Sequence, residues 1–277
     1  MNLKQYLLLI PLIAATGSFA QDLEDLPRPV LGEYRLETGH TSALSTYLSP
    51  IKYSGKVYSV SGEWRKASQW NPEKLIMQFS GGVSYRDMLN PYHSAVMLGI
   101  DGNFSWGVGY RFNFPKQLQL TVGGSVAANG GCLYLTRNSN NPVSINARIG
   151  LNLNAALSWR TRIGRLPIIL EDEVTLPTIG GFFAPPYGET YYEIYLGNRK
   201  GLAHCGWWGN NFGIDNLLSL RLDLGRTALQ VGYRYNYDSS HANHLNMAIS
   251  AHSFVIGVIP HGLGIKRKQN INSPLYR

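Results

Sequence analysis

Long apolar runs are missing from this sequence. After the first twenty residues there is no stretch of about 18 apolar residues, so a membrane-crossing helix is excluded. Charge is also scarce: Asp, Glu, Lys and Arg make up 15% of 277 residues, where an ordinary soluble domain carries roughly 25%. There are two cysteines, Cys132 and Cys205, and one histidine, His204, beside the second, too small and too scattered a set of ligands for a zinc site. A disulfide between them is permitted in an exported protein, but whether their Cα atoms come within about 7 Å is not legible in a sequence. No G-x-S-x-G elbow, H-E-x-x-H pair or phosphate-cradling glycine loop occurs. The sequence therefore offers no metal site and no cofactor, and its abundant glycines fall inside extended segments instead.

The chain does carry an address. Lys4 supplies a positive start, residues 6–15 form a short apolar run interrupted by Pro11, and Ser18-Phe19-Ala20 has the small residues of a cleavage site. Residues 1–20 are expected to be a signal peptide, with Gln21 the mature start. About half of the net charge of +8 lies after Gly264, where Lys266, Arg267, Lys268 and Arg277 meet no acid. On an exported chain this basic tail, 260–277, reads as a solvated segment near anionic lipid, not as a nucleic-acid site.

The main signal is alternation. Leu75, Met77, Phe79, Gly81, Val83 and Tyr85 share one face of an extended segment, and Gln78, Ser80, Gly82, Ser84 and Arg86 share the other. The same two-residue period returns at 56–65, 104–112, 118–126, 145–160, 166–176, 218–224 and 229–237. The second faces are too polar or too small for a soluble core. Their greasy partners suit lipid, and the pattern predicts an all-β, transmembrane, antiparallel up-and-down β-barrel in the bacterial outer membrane, with a wet lumen and long external loops. A soluble sandwich or propeller is the rival reading.

Counting predicts about twelve strands, within a range of roughly ten to fourteen. Residues 21–54 read as an irregular N-terminal periplasmic segment with at most a short strand near Tyr34, and 55–259 as the barrel. Asp101-Gly102-Asn103 has hairpin chemistry, so 94–101 and 104–112 are taken as two strands. Residues 190–196 and 202–211 are taken as weaker strands, and a phase shift near residue 250 suggests a bulge. This order puts the short turns at 114–116, 163–165 and 225–226 at one end and long loops at 127–144 and 177–189 at the other. Tyr85, Tyr110 and Phe112 then lie near periplasmic ends, Trp64 and Tyr237 near external ones. Asp172 falls on the lipid face and is expected above the membrane, because burial of its charge is costly.

The inward phase collects Arg65, Arg86, Arg111, Arg148, Arg160, Arg221 and Arg234, offset by Glu63, Glu171, Glu173 and Asp223. Unpaired, such arginines would favour anions in a pore; paired across strands, they would stiffen a barrel without flow. His241, His244 and His252 cluster in sequence with Ser239, Ser240 and Ser253, the pattern from which a lipid hydrolase could be built, but without a nucleophile elbow no catalytic residue is assigned. In the loops, Arg137, Asn140, Asn141 and Pro142 form a turn. The stretch holding Phe183, Pro186, Tyr187, Gly188, Glu189, Tyr191, Tyr192 and Glu193 reads either as a folded-in plug or lid, or as a strand-top loop whose tyrosines meet headgroups.

Three stretches carry a resemblance: "RNSNNP", "FFAPPYGETYYEIYLGN" and "TYLSPIKYSG". With them the chain, from about Gly39 onward, resembles an uncharacterised family of Gram-negative outer-membrane barrels described as a domain of unknown function. The resemblance implies that location and fold, and no activity, ligand or catalytic residue. The expected partners are outer-membrane lipid, and small solutes or a surface or periplasmic protein. A pore-like or structural barrel with a partly occluded lumen, a loop-binding barrel and a lipid-modifying enzyme remain as function classes.

Overall fold

The computed structural model describes residues 30–260, except Gln69, Arg165, Gly225 and Arg226. The signal peptide, the basic tail and the 225–226 turn lie outside the described residues. Among the described residues eleven strands form one antiparallel sheet: β1 (Val30–Ser45), β2 (Ser49–Ala67), β3 (Leu75–Leu89), β4 (Val96–Phe114), β5 (Leu118–Leu135), β6 (Val143–Ile163), β7 (Leu166–Phe183), β8 (Ala203–Trp207), β9 (Asn211–Asp223), β10 (Thr227–Ala242) and β11 (Leu245–Pro260). Ten of them close into a barrel, because β1 pairs with β11 and β6 with β7; β8 is the strand outside the ring. β8 continues the β7-facing edge of β9, with the register slipping by four residues between the two ladders. Following paired residues once around the ring leads from Trp159 to Ala147, a stagger of 12 residues. With 3.3 Å per residue and 4.8 Å between strands, that stagger tilts the strands by about 40° and sets a backbone radius of about 10 Å, narrow enough for side chains to fill.

The count differs from the expected twelve for identifiable reasons. The described part of 21–54 is not irregular: it holds β1 and the start of β2. β4 is a single strand, since Ile100, Gly102 and Phe104 keep one phase and Asp101 and Asn103 the other; no turn interrupts it. Residues 190–196 are not a strand. They hold a short helix, α1 (Tyr191–Tyr195), started by Thr190, whose hydroxyl accepts from the Glu193 N–H while the Glu193 carboxylate accepts from the Thr190 N–H. β11 carries no bulge; Leu245, Met247 and Ile249 face inward in step with Ser253 and Val255. β5 and β7 run further than expected, into the stretches 127–135 and 177–183 whose composition reads as loop.

The upper end of the barrel bears the 184–210 connection, the lower end both described chain ends. The ends of β4, β6 and β9 and the starts of β5, β7 and β10 share the lower end, as expected. Trp64 and Tyr85 exchange places relative to expectation, Trp64 lying towards the lower end and Tyr85 towards the upper. The outer wall is apolar and open: Leu36 is 64% exposed and Ile149 62%, in a belt continued by Val60, Val83, Leu151 and Ile256. A soluble monomer rarely exposes a contiguous patch beyond a few hundred Å²; this wall is suited to lipid. Tyr34 packs edge to face on Trp64, and Trp64 meets Phe79 at a tilt, along its lower rim.

Candidate functional site

The inward positions of these strands meet across the narrow lumen and form layers. At the lower rim Leu31, Ala228 and Ile259 pack together, with Ala67 beside Ile76. Above them lies a buried ion network. Arg65 reaches Glu63, Glu173 and Glu171, the last with Nη1 2.6 Å from Oε1. Arg35 pairs with Glu33 and, at 3.0 Å, with Glu63. Arg221 joins Glu33 at 2.6 Å and also Glu171. Arg35 Nε donates to Gln230 Oε1 at 3.0 Å, and Gln230 Nε2 donates to the Ser219 hydroxyl at 3.0 Å. On β1, β2, β7, β9 and β10 the phase that sends grease outwards sends these groups inwards, so the network is a direct product of the two-residue period. Buried charges of this kind need near-complete pairing, and the geometry supplies it.

Of the residues singled out by sequence, Arg65, Arg221, Glu63, Glu171 and Glu173 come together here. Arg111 and Arg160 lie within electrostatic reach of Glu171, and Asp223 closes β9 on the same phase at the lower end. Arg86, Arg148 and Arg234 sit higher, each with its own acid: Asp101, Asp238 (3.1 Å) and Asp215 (3.2 Å), Arg234 also meeting Glu37. Glu33, Arg35 and Glu37 escaped the sequence reading, although their alternation with Tyr34 and Leu36 marks the same phase. Asp101 escaped because it was taken for a turn residue, and Asp215 and Asp238 were not singled out.

Between the upper pairs the lumen opens into a chamber of about 180 Å³. Its lining includes the three Arg–Asp pairs and several asparagines, with Leu133, Met247 and Ile249 on its upper side. Those three belong to, or pack on, an apolar cluster of Ala43, Leu48, Tyr53, Met88, Met97 and Leu135 that fills the upper barrel. The 184–190 segment then crosses the mouth. The Tyr47 hydroxyl donates to the Glu189 carbonyl at 2.7 Å, linking the β1–β2 turn to the far side of the ring, and the Ile145 N–H donates to the Tyr191 hydroxyl at 2.8 Å. Tyr191 packs edge to face on Tyr47 and stacks with Phe183. Glu189 is 7% exposed, whereas Pro186 is half-buried and Tyr187, Gly188, Tyr192 and Glu193 stand in the open. Arg137, Asn140, Asn141 and Pro142 form a rim turn, not a plug, closed by the Leu135 N–H donating to the Pro142 carbonyl at 2.8 Å.

Burial pushes the Tyr191 phenol up to about 12. A raised phenol stabilises the closed lid fully below its ordinary value near 10 and loses that contribution as pH rises through about 12. Replacing Tyr191 with Phe removes the acceptor for Ile145, at a cost of about 1 kcal/mol. Tryptic nicking at the exposed Arg199 and Lys200 is expected to quicken about fivefold, the rate equivalent of that 1 kcal/mol. The difference in phenolate absorbance between wild type and Y191F is expected to titrate near 12, not near 10.

The histidine–serine cluster does not assemble. His252 points to the outer wall, its Nδ1 2.6 Å from the Tyr233 hydroxyl, while Ser253 is buried on the lumen side. His244 occupies the β10–β11 turn with positive φ, and His241 contacts Asn246. Asp172 is not above the apolar wall. It sits between Leu157 and Leu218 on the outer face, where its Oδ1 accepts from Asn216 Nδ2 at 2.6 Å. Both cysteines are free.

A family model described as "Protein of unknown function (DUF3316)" matches residues 5–269. No curated protein matches. Among solved structures the chain is similar to the outer membrane protease OmpT from Escherichia coli (8% identity over 86% of this chain and 99% of that one, TM-score 0.45). It is similar also to the transport unit of the autotransporter AIDA-I from Escherichia coli (8%, 91% and 96%, TM-score 0.43). A third is the β-domain of the Bordetella autotransporter BrkA (10%, 84% and 99%, TM-score 0.41).

Proposed function

Because the chain belongs to the family described as "Protein of unknown function (DUF3316)", we infer its role from its own geometry: an integral β-barrel of the bacterial outer membrane, exported by residues 1–20, structural in character, with an occluded lumen. The lower end faces the periplasm and the 184–210 connection faces outwards. The observation that carries this reading is the continuous stacking of the lumen: lower apolar rim, ion network, chamber, upper apolar cluster and lid. An open pore needs a water column through those layers, and the paired charges of the network leave none for solute.

Planar-bilayer recordings test this. The purified protein is expected to insert without stepwise conductance, and to stay silent when residues 186–201 are replaced by two glycines, because the apolar cluster and the ion network lie beneath the lid. Porin-sized steps from the intact protein would overturn the reading. A second reading, loop-mediated contact with a surface partner, is favoured by the exposed Tyr187, Tyr192, Tyr195 and Leu196 around the upper mouth. The hydrolase reading has no support, since His252 and Ser253 point to opposite sides of the wall.

A further inference from the structure

We propose that the upper chamber is a binding site for a small, neutral, polyhydroxylated solute of monosaccharide size, admitted from the outer end and held without being passed on. The proposal rests on the occluded-lumen reading and adds a ligand class to it. The chamber is hollowed by short side chains: Ser80, Ala127, Gly131 and Gly213 stand where the lower barrel has arginine and glutamate. Asn103 faces inward yet is exposed, and what it is exposed to is this space. At about 180 Å³ the space exceeds the cavity of about 150 Å³ that accommodates benzene, so a six-membered ring with substituents fits.

The lining selects the chemistry. Three arginines stand against three aspartates, each pair already formed, so an ion of either sign would lose its hydration without gaining a free counter-charge. A neutral polyol brings donors and acceptors together, and the lining offers both. Asn103 and Asn152 present carboxamides, and Arg86, 5% exposed, has an Nε with no acceptor. A buried donor without a partner costs free energy that a ligand hydroxyl would recover. Above the chamber Met88, Met97 and Met247 provide flexible side chains that can give way to a small solute. Below it, the ion network blocks passage.

Saturation-transfer NMR on the full-length protein in detergent micelles tests the proposal. The probes are D-glucose, D-galactose, D-mannose and myo-inositol, with D-glucuronate as the charged comparison. At least one neutral probe is expected to give a saturable signal, with glucuronate at least tenfold weaker. Asn103→Leu and Asn152→Leu, which keep side-chain size but remove the carboxamide, are each expected to weaken that signal at least tenfold while leaving the heat-modifiable gel mobility of the folded barrel unchanged. Absence of saturable signal from all four neutral probes, equal binding of glucuronate, or unaltered binding in both folded variants would overturn it. Conductance of the same preparation separates the two readings: a silent barrel that binds no probe sinks the site alone, whereas a conducting barrel sinks the occluded lumen.

Discussion

Arg65→Leu is expected to lower the unfolding free energy of the barrel by about 3–5 kcal/mol, the cost of leaving buried charges without their partner. Arg65 meets Glu63, Glu171 and Glu173 at once, and without it those carboxylates keep Arg35 and Arg221 as ion-pair partners, with Arg111 and Arg160 within electrostatic reach of Glu171. Three negative groups inside a barrel of about 10 Å backbone radius would repel one another with little water to screen them. Urea titration in micelles, followed by tryptophan fluorescence and gel mobility, measures the loss. Arg65→Lys is expected to recover less than half of it, because an ammonium cannot reproduce a planar fork that serves three acids. A loss below about 1 kcal/mol for the leucine variant would be the size of a surface pair, and would mean that water reaches the network.

Leu133→Ala is expected to cost about 2–5 kcal/mol, as for other buried leucines whose surroundings cannot collapse. Leu133 is 2% exposed, belongs to the upper apolar cluster and also lines the chamber. Its Cδ2 lies 3.1 Å from where a Cβ on Gly99 would stand. The site is thus packed on one side and hollow on the other. Truncation enlarges the chamber by the volume removed, so the same variant is expected to loosen closure above it. Equal stability of Leu133→Ala and wild type in urea would show that the upper cluster does not hold the barrel shut.

Two places where local strand signals and the fold disagree offset each other. β1 has a weak sequence signal because Pro27 and Pro29 precede it and its outward face carries Thr38 and His40 beyond Leu36, so its alternation fades halfway. β4 was divided because Asp-Gly-Asn is turn chemistry wherever local sequence decides; here both neighbouring strands pair straight through it, and tertiary pairing wins. Each disagreement reverses strand direction. Together they leave the ring strands after Phe104 correctly oriented, while Trp64 and Tyr85 come out inverted; 202–211 is inverted as well, because β8 runs antiparallel to β7. The α1 helix was legible in principle, since Thr190 and Glu193 have capping-box spacing, but the tyrosines between them favour strands and masked it.

By itself the sequence determined that the chain has two chemically unlike faces along most of its length, and that many arginines and acids share the inner one. That follows because side-chain direction in a strand is a local property with a period of two. Closure, stagger and partners were decided only in three dimensions. Arg234 finds Glu37 across 197 positions, Arg35 finds Gln230 across 195, and the 184–190 segment reaches Tyr47 on the far side of the mouth. Such meetings depend on β1 sealing against β11 with one register out of many, and no periodicity within a single strand carries that information. Whether the inner face encloses a channel, a chamber or a packed lock therefore rested on how the ten walls came together.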